Sequence, residues 1–128
     1  MIAGLRHRRF WLVLWIAGML FGVYLSLRPV PAVAPAIPHL DKLIHAGGYA
    51  ALAAFAACLH TGQARLRALA GVWLLGATIE LAQGLLPTGR LMEAADLLAN
   101  SVGIMLGSAL CWRRNPLVCV EGLLSIRN

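Results

Sequence analysis

Four long apolar stretches, separated by short polar and basic segments, dominate the chain. A bilayer core about 30 Å thick is crossed by a helix of about 20 apolar residues, with about 17 to 25 tolerated. Each stretch has a length in this range, so the pattern predicts an all-α membrane protein: a bundle of four transmembrane helices in one domain, residues 1–128. The predicted spans cover residues 10–27, 43–59, 66–86 and 94–112.

The segments outside these spans are short. Residues 29–40 are rich in proline, which lacks a backbone N–H and disfavours a helix, so we predict an extended loop there. The C-terminal tail covers residues 113–128; residues 117–128 are mildly apolar, and we expect them to lie at the membrane interface or to be loose. Basic residues precede the first apolar stretch, as in a secretory signal peptide. That stretch is longer than a typical signal core of about 7–15 residues, which favours a retained span.

Composition agrees with a membrane protein and excludes several other classes. Hydrophobic residues make up 60% of the chain and charged residues 12%, whereas soluble domains are about 25% charged. A soluble enzyme, a disordered chain and a disulfide-stapled secreted module are therefore excluded. The net charge of +6 lies mainly in loops that flank the spans, so no nucleic-acid partner is expected. The three cysteines share no metal-ligand spacing.

Lysine and arginine are distributed unequally between the two sides of the predicted bundle. Three of the eleven flank the side that holds the proline-rich loop, namely Arg28, Lys42 and Arg90. The other eight flank the side of the N-terminus: Arg6, Arg8, Arg9, Arg65, Arg67, Arg113, Arg114 and Arg127. Because cytoplasmic loops are enriched in these residues, we expect both termini in the cytoplasm.

Three of the predicted helices carry a narrow polar stripe near the outer side. At about 100° per residue, the stripe of the second helix runs from Asp41 to Tyr49. Ionisable groups inside a span are costly, and polar faces of separate helices in lipid turn towards one another. The stripes are therefore predicted to form one polar site that opens to the extracytoplasmic side. Its candidate binding residues are Asp41, Lys42, His45, Tyr49, Glu80, Gln83, Arg90, Asp96 and Asn100.

These residues allow structural as well as chemical roles. Asp41 also fits a helix cap, and Lys42 also fits a contact with lipid headgroups. An acid–base role is open as well, with His45, Glu80 and Asp96 as the catalytic candidates. One histidine with two or three carboxylates would also suit a divalent metal ion. From the sequence we nevertheless assign no metal ligands and no cofactor.

Glycines recur at small-xxx-small spacing on the first and fourth predicted helices. In membrane bundles this spacing lets two helix backbones approach closely. The predicted helix-packing positions are Gly18, Gly22, Gly103 and Gly107.

The order of these motifs resembles the VanZ-like family of small bacterial membrane proteins. Residues 41–45 (DKLIH) are similar to the Asp-Lys-x-x-His opening of that family's second span. Residues 80–83 (ELAQ) are similar to its Glu-x-x-Gln motif in the third span. Residues 90–107, from the arginine through the Ala-Asn pair to the second glycine, resemble its fourth-span motif.

The resemblance implies a multi-pass protein of the bacterial inner membrane with an outward-facing site near cell-envelope lipids. The family's namesake is associated with low-level resistance to the glycopeptide teicoplanin. We therefore expect the site to bind a lipid-linked or headgroup anion in cell-envelope or glycopeptide-tolerance processes, with membrane lipids or a lipid-linked envelope intermediate as partners. An acid–base enzyme acting on an envelope lipid, and a purely structural or partner-binding subunit, stay open as alternatives.

Overall fold

The computed structural model describes residues 4–29, 39–87 and 89–125. In this part of the chain the structure is all-helical, without strands. The first four helices are long and apolar enough to cross a membrane, which confirms the predicted fold class. The direction of insertion stays a prediction. The helices are α1 (Arg8–Leu27), α2 (Leu40–Leu59), α3 (Gly62–Leu85), α4 (Ala94–Cys111) and α5 (Pro116–Ser125).

Helices α2 and α3 begin earlier than the apolar pattern predicted. The first residue of α2 is Leu40 rather than residue 43, and that of α3 is Gly62 rather than residue 66. An apolar stretch marks the part of a helix that lipid surrounds, whereas the backbone hydrogen bonds continue until the chain turns. Here the chain turns through extended residues at His60 and Thr61. Gly62 follows with a φ of 51°, a left-handed conformation that glycine adopts without steric cost.

The C-terminal tail contains a helix that the sequence pattern did not predict. Residues 116–125 form α5. Pro116 occupies the first helical position, where a missing N–H costs nothing, and Asn115 Oδ1 accepts the N–H of Leu117 at 3.1 Å. This side-chain hydrogen bond stabilises the start of the helix. Residues 30–38 of the predicted proline-rich loop lie outside the described residues.

The closest helix contact joins α2 to α4. A Cβ atom added at Gly103 would lie 2.2 Å from the carbonyl oxygen of Ala46, and one at Gly107 would lie 2.0 Å from that of Ala50. Only glycine permits this approach, because any side chain would overlap the backbone of α2. The two predicted packing positions of α4 therefore set the distance between α2 and α4, the two helices that carry most of the candidate site.

Helix α1 packs more loosely than predicted. A Cβ atom at Gly22 would meet nothing within 4 Å among the described residues, and one at Gly18 would meet Leu52 Cδ2 at 3.6 Å. Large side chains of α1 are exposed, including Leu20 at 66% and Phe21 at 62%. The prediction that Gly22 packs against a neighbouring helix is wrong, because α1 stands away from the bundle at that point. Both glycines of α1 line a cavity instead.

Candidate functional site

Four carboxylates gather where α2 begins, α3 ends and α4 begins. They are Asp41, Glu80, Glu93 and Asp96, and we call this region the carboxylate end. The whole chain has only five Asp and Glu residues, so four-fifths of its acidic groups share one end of the bundle. Spacing had indicated that His45, Glu80, Asp96 and Asn100 would share one site. The structure does bring these residues together, and it adds Glu93, which was not among the candidates.

Lys42 lies among three of these carboxylates. Its Nζ is 2.6 Å from Asp41 Oδ2, 2.5 Å from Glu93 Oε2 and 2.9 Å from Asp96 Oδ1. The contacts with Asp41 and Glu93 are hydrogen bonds, and the contact with Asp96 is an ion pair. Lys42 therefore neutralises carboxylates of its own chain, whereas the sequence pattern predicted a contact with a lipid headgroup or a bound anion.

His45 points into the space between α3 and α4. Its Nδ1 is 3.0 Å from Asn100 Oδ1 and 3.7 Å from Glu80 Oε1. The amide of Asn100 is therefore the hydrogen-bonding partner that orients the imidazole. Asp41 is engaged by Lys42 instead. An imidazole between an amide oxygen and a buried carboxylate can hold or exchange a proton, and it can also offer a ring nitrogen to a metal ion.

The deepest polar groups of the site are incompletely satisfied. Glu80 is 3% exposed and Asn100 is 1% exposed. Glu80 Oε2 accepts the backbone N–H of Glu93 at 3.3 Å. Glu80 Oε1 and Asn100 Nδ2, however, have no hydrogen-bond partner in the part of the chain that the structure describes. Buried polar atoms without a partner are rare in native proteins and costly, so these two atoms point to a bound group.

Gly76 makes room for two side chains of the site. A Cβ atom at this position would lie 3.0 Å from Tyr49 Oη and 3.1 Å from Asn100 Nδ2. Tyr49 is buried there, between α2 and α3. Gly76 is not predicted from the sequence, because a single glycine inside an apolar span carries no signal of what faces it.

Gln83 does not join the carboxylate end, although the sequence analysis included it in the site. Its Nε2 donates to the carbonyl oxygen of Ser26 at 2.9 Å. This bond ties α3 to the last turn of α1, which is a structural contact. The helical period gives the face of Gln83 correctly, but it does not show which neighbouring helix lies opposite that face.

A cavity of about 980 Å³ lies beside the site, mainly between α1 and α2. Most of its walls are apolar, and its charged and polar lining lies near the carboxylate end. Arg90, predicted from sequence, lines this cavity. Arg28 and His39, which were not among the predicted site residues, line it too. The polar lining comprises Ser26, Arg28, His39, Asp41, His45, Tyr49 and Arg90.

The site is therefore a histidine–carboxylate cluster that lies next to a cavity with mostly apolar walls and a polar end. The chain matches no protein-family model, no curated protein and no solved structure.

Proposed function

We propose that the chain is a VanZ-like protein of the bacterial inner membrane that binds an anionic cell-envelope lipid in the cavity between α1 and α2. The motif order of residues 40–110 supports the family, and the four apolar helices support the membrane location. The lipid's acyl chain would lie between the two helices. Its charged headgroup would lie at the carboxylate end.

The shape and lining of the cavity carry this proposal. Ligand cavities in proteins are typically about 300–1,000 Å³, mostly apolar, with a few convergent polar groups, and this cavity fits that description. Apolar side chains such as Leu14 and Phe55 line the part far from the carboxylate end. A molecule that matches such a lining is apolar along its length and polar at one tip.

The cations of the cavity favour a phosphate-bearing headgroup. Arg28 and Arg90 both line it near the carboxylate end, and a guanidinium binds phosphate through paired hydrogen bonds. We assign the anion-binding role to these two arginines rather than to Lys42, because three carboxylates already surround the lysine ammonium.

Lipid binding by the purified protein in detergent tests the proposal. Native mass spectrometry would compare phosphatidylglycerol with zwitterionic phosphatidylcholine. We expect tighter binding of phosphatidylglycerol, and a loss of about 100-fold or more for Arg28→Gln combined with Arg90→Gln, since each charged hydrogen bond contributes about 1.5–3 kcal/mol and about 1.4 kcal/mol is tenfold in affinity. The matched control is Arg67→Gln, an exposed arginine of α3 that does not line the cavity.

A second variant tests the acyl-chain part separately. Gly22→Leu adds a side chain where a Cβ atom meets nothing within 4 Å, so it should fill the cavity without disturbing the fold. It should weaken binding of both lipids. Equal affinity for the two lipids in the wild type, or unchanged affinity in both the arginine and the Gly22 variants, would contradict the proposal.

The separation of 3.7 Å between His45 Nδ1 and Glu80 Oε1 favours one second candidate, an acid–base enzyme that acts on the same lipid. Turnover of the bound lipid by the wild type, and its loss in His45→Gln with binding retained, would distinguish this function from binding alone.

A further inference from the structure

The carboxylate end carries more negative charge than its own cations neutralise. Three of its four carboxylates, those of Asp41, Glu93 and Asp96, contact the ammonium of Lys42, and Arg28 and Arg90 lie at the same end. With all four carboxylates ionised and His45 neutral, one negative charge is left over. Glu80 is 3% exposed and Asp96 is 7% exposed, and uncompensated charge on buried groups is costly, so this part of the cluster can accept a further cation.

Three side chains are close enough to share one cation. Single ligand atoms of His45, Glu80 and Asp96 all lie within 4.8 Å of one another. His45 Nδ1 and Glu80 Oε1 are 3.7 Å apart. Ligands that lie about 2.1 Å from a zinc ion are themselves about 3–4 Å apart. Binding of a metal ion would therefore need only small side-chain movements.

An independent observation points to a ligand at the same place. Glu80 Oε1 has no hydrogen-bond partner among the described residues, although Glu80 is 97% buried and this oxygen faces His45. A carboxylate oxygen in such a position requires a proton or a cation. The two neighbouring donor groups, His45 and Asp96, are the ones that a metal ion would share with it.

A second group of carboxylates in the cluster is not a candidate metal site. Asp41, Glu93 and Asp96 also have ligand atoms within 4.8 Å of one another. Lys42 Nζ lies among these three, at 2.5–2.9 Å from each. Its ammonium therefore already occupies the position that a cation would take there.

We propose that His45, Glu80 and Asp96 bind one divalent transition-metal ion. A single imidazole with two carboxylates is a donor set that suits Zn²⁺ or Mn²⁺. Ligation through Nδ1 requires the imidazole tautomer with its proton on Nε2. The other tautomer, with its proton on Nδ1, donates to Asn100 Oδ1 at 3.0 Å, so metal binding replaces this hydrogen bond. The metal site goes beyond the proposed lipid binding and does not depend on it.

Isothermal titration of metal-free protein in detergent with ZnCl₂ and with MnCl₂ tests this site. We expect one ion per chain in the wild type. Glu80→Gln and His45→Gln should each weaken binding by at least about tenfold, because loss even of a second-shell partner commonly has that effect. The matched control is Glu121→Gln, which removes the one remaining carboxylate of the chain, at the opposite end of the bundle. Asp41→Asn should keep the affinity, since Asp41 belongs to the group that Lys42 fills.

A spectroscopic measurement on the wild type removes the dependence on folding of the variants. Pulsed electron paramagnetic resonance of bound Mn²⁺ should detect coupling to one imidazole nitrogen, and this coupling should vanish in His45→Gln. The inference is overturned if the wild type binds neither ion, if bound Mn²⁺ has no nitrogen coupling, or if Glu80→Gln binds as tightly as Glu121→Gln. Loss of binding in Asp41→Asn with retention in Glu80→Gln would also overturn it. None of these readouts involves lipid, so failure here leaves the lipid proposal to its own test.

Discussion

Polar groups at the two ends of the bundle find their partners in different ways. We call the opposite end of the bundle, where α1 and α3 begin and α2 and α4 end, the Glu121 end. Its polar side chains mainly form hydrogen bonds with the main chain. Arg65 donates to the carbonyl oxygens of His60 at 3.0 Å and Trp112 at 3.2 Å. Asn115 Nδ2 donates to the carbonyl oxygen of Cys58 at 2.9 Å.

Glu121 completes this end. Its carboxylate accepts the backbone N–H groups of Arg6 at 2.6 Å and His7 at 2.9 Å, and the indole N–H of Trp11 at 2.7 Å. These bonds attach α5 to the start of α1. An apolar core lies beneath them, formed by Trp11, Ala57, Cys58, Leu59, Cys111 and Leu117.

The carboxylate end is built from side chains that contact one another instead. Lys42 Nζ contacts three carboxylates, and His45 Nδ1 lies close to both Asn100 Oδ1 and Glu80 Oε1. Two of its buried atoms, Glu80 Oε1 and Asn100 Nδ2, have no hydrogen-bond partner among the described residues. Backbone groups are always present in the folded chain, so the polar side chains of the Glu121 end find hydrogen-bond partners without a ligand. The side-chain network of the carboxylate end still contains polar atoms without hydrogen-bond partners, and such atoms are available to bind a ligand.

The largest effect is expected from breaking the helix contact on which both ends depend. Gly103→Leu forces a side chain into the backbone of α2, where even a Cβ atom would be 2.2 Å from the Ala46 carbonyl oxygen. The cost should exceed the usual overpacking range of about 1–3 kcal/mol, because backbone atoms cannot move aside as side chains do. We expect loss of folded protein in size-exclusion chromatography. Gly22→Leu is the control, and equal yields of the two variants would refute the close contact.

An intermediate effect is expected from removing the main cation of the Glu121 end. Arg65→Met deletes two hydrogen bonds to carbonyl groups and a cation–π contact in which Arg65 Cζ lies 4.8 Å from the centroid of the Trp112 ring. The free energy of unfolding should fall by about 2–3 kcal/mol, measured by thermal denaturation in detergent. Lipid and metal binding of the folded protein should be unchanged. A specific loss of either binding would show that the two ends are not separate in function.

The smallest effect concerns acid sensitivity at the same end. Desolvation raises the pKa of Glu121, but the N–H of His7, the Trp11 indole and the N–H of Arg6 lower it more, so the pKa lies below its ordinary value of 4.5. A carboxyl whose pKa is lowered by folding stabilises the protein above its unfolded-state pKa. That contribution disappears as the pH falls below about 4.5 and through the lowered value.

Thermal denaturation at pH 7 and pH 4 checks this prediction. Glu121→Gln should lower the melting temperature at pH 7 and show a smaller further decrease at pH 4 than the wild type. The wild type and the variant should converge in acid, because protonation removes the same charge that the substitution removes. An equal decrease with pH in both proteins would mean that the attachment of α5 does not depend on the Glu121 charge.

Much of the candidate site could be predicted from the sequence, because an α-helix has a constant period. Asp96 and Asn100 had to share a face of α4, and His45 had to share one with Tyr49 on α2. A polar face is expensive in lipid, so faces of this kind had to meet. Glu93 and Arg28 were not among the predicted site residues, although by the same period Glu93 lies about 60° from Asp96.

The sequence by itself determined the four spans and the sharing of one site by His45, Glu80, Asp96 and Asn100. Both follow from local rules, the apolar length that a bilayer requires and the angle between successive residues. Only the tertiary structure decided that Lys42 pairs with carboxylates, that Gln83 bonds Ser26, and that a cavity opens beside Gly22. These features depend on the distances between helices and on their rotation about their own axes. No single helix encodes those quantities, since they arise when contacts such as that of Gly103 with Ala46 bring two backbones together.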